Sequence, residues 1–96
     1  MKRQAFNPYL PEGKYLPDGE PHVFGDRVYV YCSHDKPAAN RFCTGDYEVW
    51  SAPCSDLSDW TCKGVALPRK NKYNKSGVKC MWAPDCTRGA DGKYYL

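Results

Sequence analysis

The feature that most constrains the fold is a series of short apolar and aromatic runs divided by turn-forming residues. The clearest pair covers residues 22–24 and 27–33, separated by Gly25-Asp26. A two-residue turn containing glycine, between β-branched and aromatic residues, predicts a β-hairpin. Similar runs predict further strands at 47–52, 60–66, 82–87 and 93–96. Because no segment has helical periodicity, we predict an all-β fold: an antiparallel meander whose first four strands form one sheet.

Composition and charge exclude several functional classes. Hydrophobic residues make up 42% of the 96 residues and aromatic residues 15%, which is too apolar for a disordered chain. A net charge of +3 is too small to indicate nucleic acid or an anionic membrane as partner. No apolar run approaches the ~18 residues of a membrane span. Because no apolar signal region follows Met1 to Gln4, we expect a cytoplasmic location.

The cysteines allow more than one interpretation. An even number in a short chain is typical of a disulfide framework. The chain shows no export signal, however, and Cys32 and Cys80 lie within strand-like runs where a thiol can act as a small core residue. Zinc is disfavoured because no two cysteines have the C-x2-C spacing. We favour free thiols over disulfides. The six positions are Cys32, Cys43, Cys54, Cys62, Cys80 and Cys86.

Two stretches of the chain resemble each other. Pro21 and Pro84 each precede a short run, a Gly/Asp turn, a basic residue and an aromatic run. Repeated four-stranded antiparallel units are the signature of a β-propeller. We therefore predict a first blade at about 20–67 and the start of a second at about 80–96. One blade alone should leave an apolar face uncovered. That face carries Val28, Val30 and Trp50.

Carboxylates lie at equivalent places in the two units. Asp18 and Glu20 precede Pro21, and Asp85 follows Pro84. The first strands of propeller blades line the central axis, so carboxylates there would converge. Glycoside hydrolysis requires converging carboxylates, one to activate water and one to protonate the leaving oxygen. The alternative is that aspartates beside proline and glycine simply form turns.

The sequence resembles the opening of glycoside hydrolase family 43. The resemblance covers nearly the whole chain in the family's order. It is carried by Asn7-Pro8-Tyr9-Leu10-Pro11, the run from Pro17 to Tyr31, Ser33-His34-Asp35, the runs 47–52 and 56–60, and Trp82-Ala83-Pro84-Asp85. It implies a five-bladed β-propeller that hydrolyses arabinose- or xylose-containing plant polysaccharides such as xylan, with inversion. It also implies three carboxylates: a general base, a pKa-tuning aspartate and a general acid.

The resemblance assigns roles to particular residues. Asp85 corresponds to the pKa-tuning aspartate of the family's Ala-Pro-Asp motif. The family usually has Asp-Pro before the first strand, whereas here Glu20 precedes Pro21. Alignment on the proline favours Glu20 as the base, which we prefer, and alignment on the Gly25-Asp26 turn favours Asp18. The acid would lie beyond Leu96, so residues 1–96 alone should be inactive.

The remaining expectations concern ligands and alternatives. Trp82, His34 and Asp35 are expected to contact the sugar, and we expect neither a metal nor a cofactor. The partners would be the carbohydrate and the remaining blades. Because Glu20 departs from the family pattern, a carbohydrate-binding propeller without catalysis is the main alternative. A small secreted module stapled by disulfides is a third, weaker one.

The prediction that all six cysteines are free thiols can be tested directly. The denatured, unreduced protein should titrate as six thiols per chain, since each cysteine of the sequence would be free. The measurement is a colorimetric thiol titration, with a reduced sample as control. A lower number in the unreduced sample would establish disulfides.

Overall fold

The computed structural model describes residue 4 and residues 7–74 and 79–96. The run from Met1 to Gln4, on which the expected cytoplasmic location rests, lies mostly outside the described residues. The regular elements of the structure are strands, arranged in one four-stranded and one two-stranded sheet. Their bounds are β1 (Glu20–Phe24), β2 (Arg27–Cys32), β3 (Tyr47–Pro53), β4 (Thr61–Leu67), β5 (Thr87–Arg88) and β6 (Tyr94–Tyr95).

The four-stranded sheet confirms the predicted antiparallel meander. Its order is β1-β2-β3-β4, with every neighbouring pair antiparallel. The hairpin between β1 and β2 closes where Phe24 pairs with Arg27. Gly25 has a φ of 66°, a conformation that favours glycine, at the first position of this two-residue turn. The first and last strands, β1 and β4, are the two edges of this sheet.

The predicted strand at 82–87 is wrong. Strand pairing begins only at Thr87, and β5 is two residues long. Pro84 has no amide hydrogen to donate to a sheet. The start of this segment bonds elsewhere: the carbonyl of Trp82 accepts a hydrogen bond from the Tyr47 hydroxyl, and just before it the amide of Met81 donates to the carbonyl of Cys43 at 2.7 Å. The last predicted strand, 93–96, is reduced to Tyr94–Tyr95.

One face of the four-stranded sheet forms the core. Val30 and Trp50 are only 3% and 5% exposed, so the expectation that they would be uncovered is wrong. The reason is that the segment before β1 folds across this face. The ring of Tyr9 packs against Trp60 at a centroid distance of 4.8 Å. The backbone of Gly19 lies so close that an added Cβ would be 2.5 Å from a methyl carbon of Val30.

The core face includes a buried carboxylate, Glu48. It accepts hydrogen bonds from Lys14 Nζ at 2.8 Å and from Trp50 Nε1 at 3.0 Å. His34 Nδ1 lies 3.7 Å away. Burial acts to raise the pKa of Glu48, but the two hydrogen bonds and the nearby positive charges outweigh burial, so its pKa lies below the usual value of 4.5. Glu48 is therefore ionised, and its charge holds Lys14 and the N-terminal segment against the sheet.

The six cysteines all lie within the described residues, and each is a free thiol. Cys32, Cys43 and Cys86 are buried. Burial raises the pKa of the Cys32 thiol to about 12, with a further contribution from the charge of Glu48. Buried, protonated thiols of this kind pack as small hydrophobic residues. Across residues 4, 7–74 and 79–96, no helix is long and apolar enough to cross a membrane.

The ion pair of Glu48 should make stability depend on Lys14. In Lys14→Met the buried carboxylate keeps Trp50 but loses its counterion, so we expect a loss of about 1–3 kcal/mol at pH 7. The folded-state pKa of Glu48 is lowered, so its stabilising contribution is present above the ordinary pKa and is lost as pH falls through the folded-state pKa. The deficit of the variant should therefore shrink at pH 4 and below.

The measurement is denaturant unfolding at several pH values. Lys63→Met, at an exposed lysine of β4, is the matched control and should change stability little. A deficit in Lys14→Met that is the same at pH 7 and pH 3 would contradict the role given to the Glu48 charge.

Candidate functional site

Three contacts place the segment from Met81 to Cys86 against the four-stranded sheet unit. The first is the bond between the Met81 amide and the Cys43 carbonyl. The second is a hydrogen bond that the Tyr47 hydroxyl donates to the carbonyl of Trp82. The third joins Tyr31 to Cys86, and burial together with this hydrogen bond raises the pKa of Tyr31 to about 12. The segment is thus fixed at both ends, and Asp85 lies within it.

Strand alternation determines which side chains of β1 lie on the face turned toward Asp85. Glu20, His22 and Phe24 are separated by two positions, so their side chains leave the same face of the strand. The opposite face of β1 belongs to Pro21 and Val23. Glu20 pairs with Tyr31, the residue that contacts Cys86, so this face is the one turned toward Asp85.

Glu20, His22 and Asp85 form a cluster. His22 Nε2 lies 2.5 Å from Asp85 Oδ1, and one donor or acceptor atom from each of the three residues lies within 4.8 Å of the others. The backbone amide of Cys86 donates to the same Asp85 oxygen at 2.8 Å. The carboxylates of Glu20 and Asp85, predicted from the two sequence units to converge, are close together in this structure.

The environment of Asp85 favours its ionised form. The hydrogen bond from His22 is the largest cause that lowers the pKa of Asp85 below 3.8, and the Cys86 amide lowers it further. The Asp85 side chain remains 60% exposed. At neutral pH this group is a carboxylate open to solvent, able to act on a neighbouring group through its charge.

Asp18, the alternative base, is not part of this cluster. Its φ of 64° turns the chain just before β1, so it does not continue the alternation that aligns Glu20 with His22. Its charge acts instead on the thiol of Cys43, whose pKa is raised chiefly by burial and further by Asp35 and Asp18. Asp18 is exposed.

The three residues expected to contact sugar lie in different surroundings. Trp82 is 57% exposed and lines a surface pocket of about 340 Å³ with Tyr47 and Tyr73. Asp35 accepts a hydrogen bond from the Cys43 amide at 2.7 Å, a contact that organises the loop after β2. His34 lies beside Glu48 and packs against Gly45. Trp82 is thus available to a ligand, whereas Asp35 and His34 have structural contacts.

Two carboxylates and an imidazole are also possible metal ligands. Among the described residues, Glu20, His22 and Asp85 are the group with suitable spacing. In the structure the imidazole and the Asp85 carboxylate are hydrogen-bonded to each other.

Sequence reasoning did not predict that His22 lies in this cluster. The signal was present: His22 is two residues from Glu20 on a strand, so the two side chains had to share a face. What the sequence did not give was the approach of Asp85, from 63 residues further along the chain.

Comparison with known proteins identifies relatives with carbohydrate-active names. The chain is 50% identical over 97 residues to a xylosidase/arabinosidase of Thermoclostridium stercorarium, a match covering all of this chain and 20% of that protein. It is 44% identical over 64 residues to a probable arabinan endo-1,5-alpha-L-arabinosidase C of Aspergillus flavus, covering 66% of this chain and 20% of that protein. It is 36% identical over 90 residues to xylosidase/arabinosidase 43A of Humicola insolens, covering 85% and 27%.

These relatives are named for glycosidase activities. More particularly, they confirm the resemblance to glycoside hydrolase family 43. The chain spans between a fifth and just over a quarter of their length. No family model matches the chain, and no solved structure matches it.

Proposed function

We propose that this chain is part of an inverting glycoside hydrolase that acts on arabinose- or xylose-containing polysaccharides or oligosaccharides. The observation that carries the proposal is the convergence of Glu20 and Asp85, which come from two sequence units and lie in one exposed cluster. The names of the relatives support the substrate class. Solvent access supports a site that a sugar can reach.

The proposed architecture is a five-bladed β-propeller. The four-stranded sheet, from Glu20 to Leu67, would be the first blade, and β5 and β6 would begin the second, within residues 80–96. The meander order supports this assignment, because propeller blades are four-stranded antiparallel sheets. The remaining blades would complete the ring and supply the general acid from beyond Leu96.

In the proposed mechanism, water attacks the anomeric carbon as the bond to the leaving oxygen breaks. A carboxylate before or at the start of β1 accepts a proton from that water, and the general acid gives a proton to the leaving oxygen. We prefer Glu20 as the base because it faces Asp85, with Asp18 as the alternative. Asp85, ionised, would raise the pKa of the acid by its like charge and orient it. Trp82 would stack on a sugar ring.

A carbohydrate-binding propeller without catalysis is the second candidate. The observation that favours it is the sequence Gly19-Glu20-Pro21 where the family usually has Asp-Pro. Both candidates bind sugar, and they differ in turnover. The first assay is therefore hydrolysis of aryl arabinofuranosides and xylosides by the full-length protein that carries this chain.

Substitution of the two candidate bases should identify the one that acts. If Glu20 is the base, Glu20→Ala should lower kcat at least about 10²-fold, and Asp18→Ala should stay active. Azide attacks the anomeric carbon without needing deprotonation, so it should partly restore the Glu20→Ala rate and give a glycosyl azide of inverted configuration.

The measurement is the rate with and without azide, with product configuration read by NMR. Rescue of Asp18→Ala alone would assign the base to Asp18 instead. Near-native activity in both variants would show that neither carboxylate is the base and would refute the proposed mechanism.

Asp85→Asn removes the tuning charge but keeps the size of the side chain. We expect kcat to fall by about 10-fold or more, because the acid loses both its raised pKa and its orientation. The loss should be largest for poor leaving groups, which need protonation, and smallest for nitrophenolates. Kinetics across a series of aryl substrates would measure this, and a loss that is equal for all leaving groups would contradict the tuning role.

A further inference from the structure

His22 makes the only direct side-chain contact that the described residues show between the first sheet and the Asp85 carboxylate. Its Nε2 lies 2.5 Å from Asp85 Oδ1. Because an ionised carboxylate only accepts hydrogen bonds, His22 is the donor, and Nε2 carries the proton. The hydrogen bond is thus donated from β1 to the loop that holds Asp85.

The imidazole is held independently of Asp85. Its ring stacks on Phe24, two positions along the same face of β1, with a centroid distance of 5.8 Å and an interplanar angle of 11°. Phe24 in turn meets the ring of Tyr94 on β6 edge to face, at 4.9 Å. His22 therefore belongs to an aromatic column that joins the two sheets, and its nitrogen is aimed by packing as well as by the carboxylate.

We propose that His22 is a positioning residue: it holds the Asp85 carboxylate in one orientation next to Glu20 through the Nε2 hydrogen bond. This inference rests on the proposed function, in which Asp85 tunes the general acid. Orientation matters to that role because a carboxylate that rotates away loses its effect on a neighbouring acid.

The exposure of His22 and Asp85 indicates that their contact contributes little to folding stability. The side chains of His22 and Asp85 are 31% and 60% exposed. Ion pairs and hydrogen bonds that are exposed to solvent contribute little to folding stability. A short, exposed contact supported by a packed ring column is better suited to setting the place and charge of one carboxylate.

Several titratable groups surround the imidazole. Glu20 lies on its own strand, Tyr29 is its partner on β2, Asp85 faces it from the loop, and Tyr94 reaches the column from β6. The hydrogen bond from His22 is the largest cause of the lowered pKa of Asp85. Removing the donor should therefore change the titration of Asp85 directly.

The experiment compares three variants of the full-length protein. His22→Phe keeps a ring that can stack on Phe24 but has no donor. His22→Gln replaces the ring with an amide whose nitrogen reaches about as far as Nε2. Val23→Ala, at an exposed side chain on the opposite face of β1, is the matched control.

We expect His22→Phe to lower kcat at least about 10-fold with KM changed less than about 3-fold, and to shift the pH profile of kcat. His22→Gln should recover most of the loss, and Val23→Ala should match the wild type. In carbon-13 spectra, with the Asp85 signal assigned by its loss in Asp85→Asn, the pKa of Asp85 should rise toward its ordinary value in His22→Phe and less in His22→Gln.

Two results would overturn the proposal. One is a His22→Phe variant that has either wild-type kcat or an unchanged Asp85 titration. The other is a His22→Gln variant as impaired as His22→Phe while the Asp85 titration stays at its wild-type position, which would indicate a packing role. If His22→Phe does not fold, His22→Asn, whose amide is too short to reach Asp85, takes its place.

The titration separates this inference from the proposed function. If the wild-type protein hydrolyses no glycoside, the proposed function fails, while the spectra still show whether His22 controls the Asp85 carboxylate. If the protein is an active glycosidase and the Asp85 titration does not respond to His22, the positioning role fails alone.

Discussion

The charge of Glu48 is the constraint on which the arrangement of the chain depends. A carboxylate on the core face of the sheet cannot remain there without donors, because the desolvation of an unpaired charge is costly. Lys14 and Trp50 supply the donors. Trp50 is two residues away on the same strand, but Lys14 comes from outside the sheet. Satisfying Glu48 therefore draws the N-terminal segment across the core face, where it covers Val30.

This arrangement determines which face of the sheet is left for the site. With the core face covered by the segment before β1, the second sheet can pack only along the other face, through the Phe24–Tyr94 contact and the anchored segment that carries Asp85. Gly19 is the point where the two requirements meet. It lacks a side chain against Val30, and the next residue, Glu20, faces the opposite way, toward Asp85. The core and the candidate site are thus the two faces of one strand.

Most of the first sheet could be predicted from local chemistry. The Gly25-Asp26 turn and the alternation of β1 depend only on neighbouring residues, and the meander follows from short connections. The convergence of Glu20 and Asp85 could be predicted only through the repeat. The strand predicted at 82–87 failed because the backbone of Met81 bonds to Cys43, a distant partner with no local signal. The contact between His22 and Asp85 was not predicted for the same reason, since the two residues are distant in sequence.

His22 and Asp85 are 63 positions apart in the sequence, and this separation determines when the site can form during folding. Neither sheet contains the site, since one carries Glu20 and His22 and the other follows Asp85. Joining them closes a long loop, whose entropic cost grows only slowly with its length and is offset by the anchors at Met81, Trp82 and Cys86. A chain that has formed only its first sheet holds two of the three residues of the cluster and one of its two carboxylates. The cluster therefore forms only where the two sheets meet, and its presence shows that they have packed together.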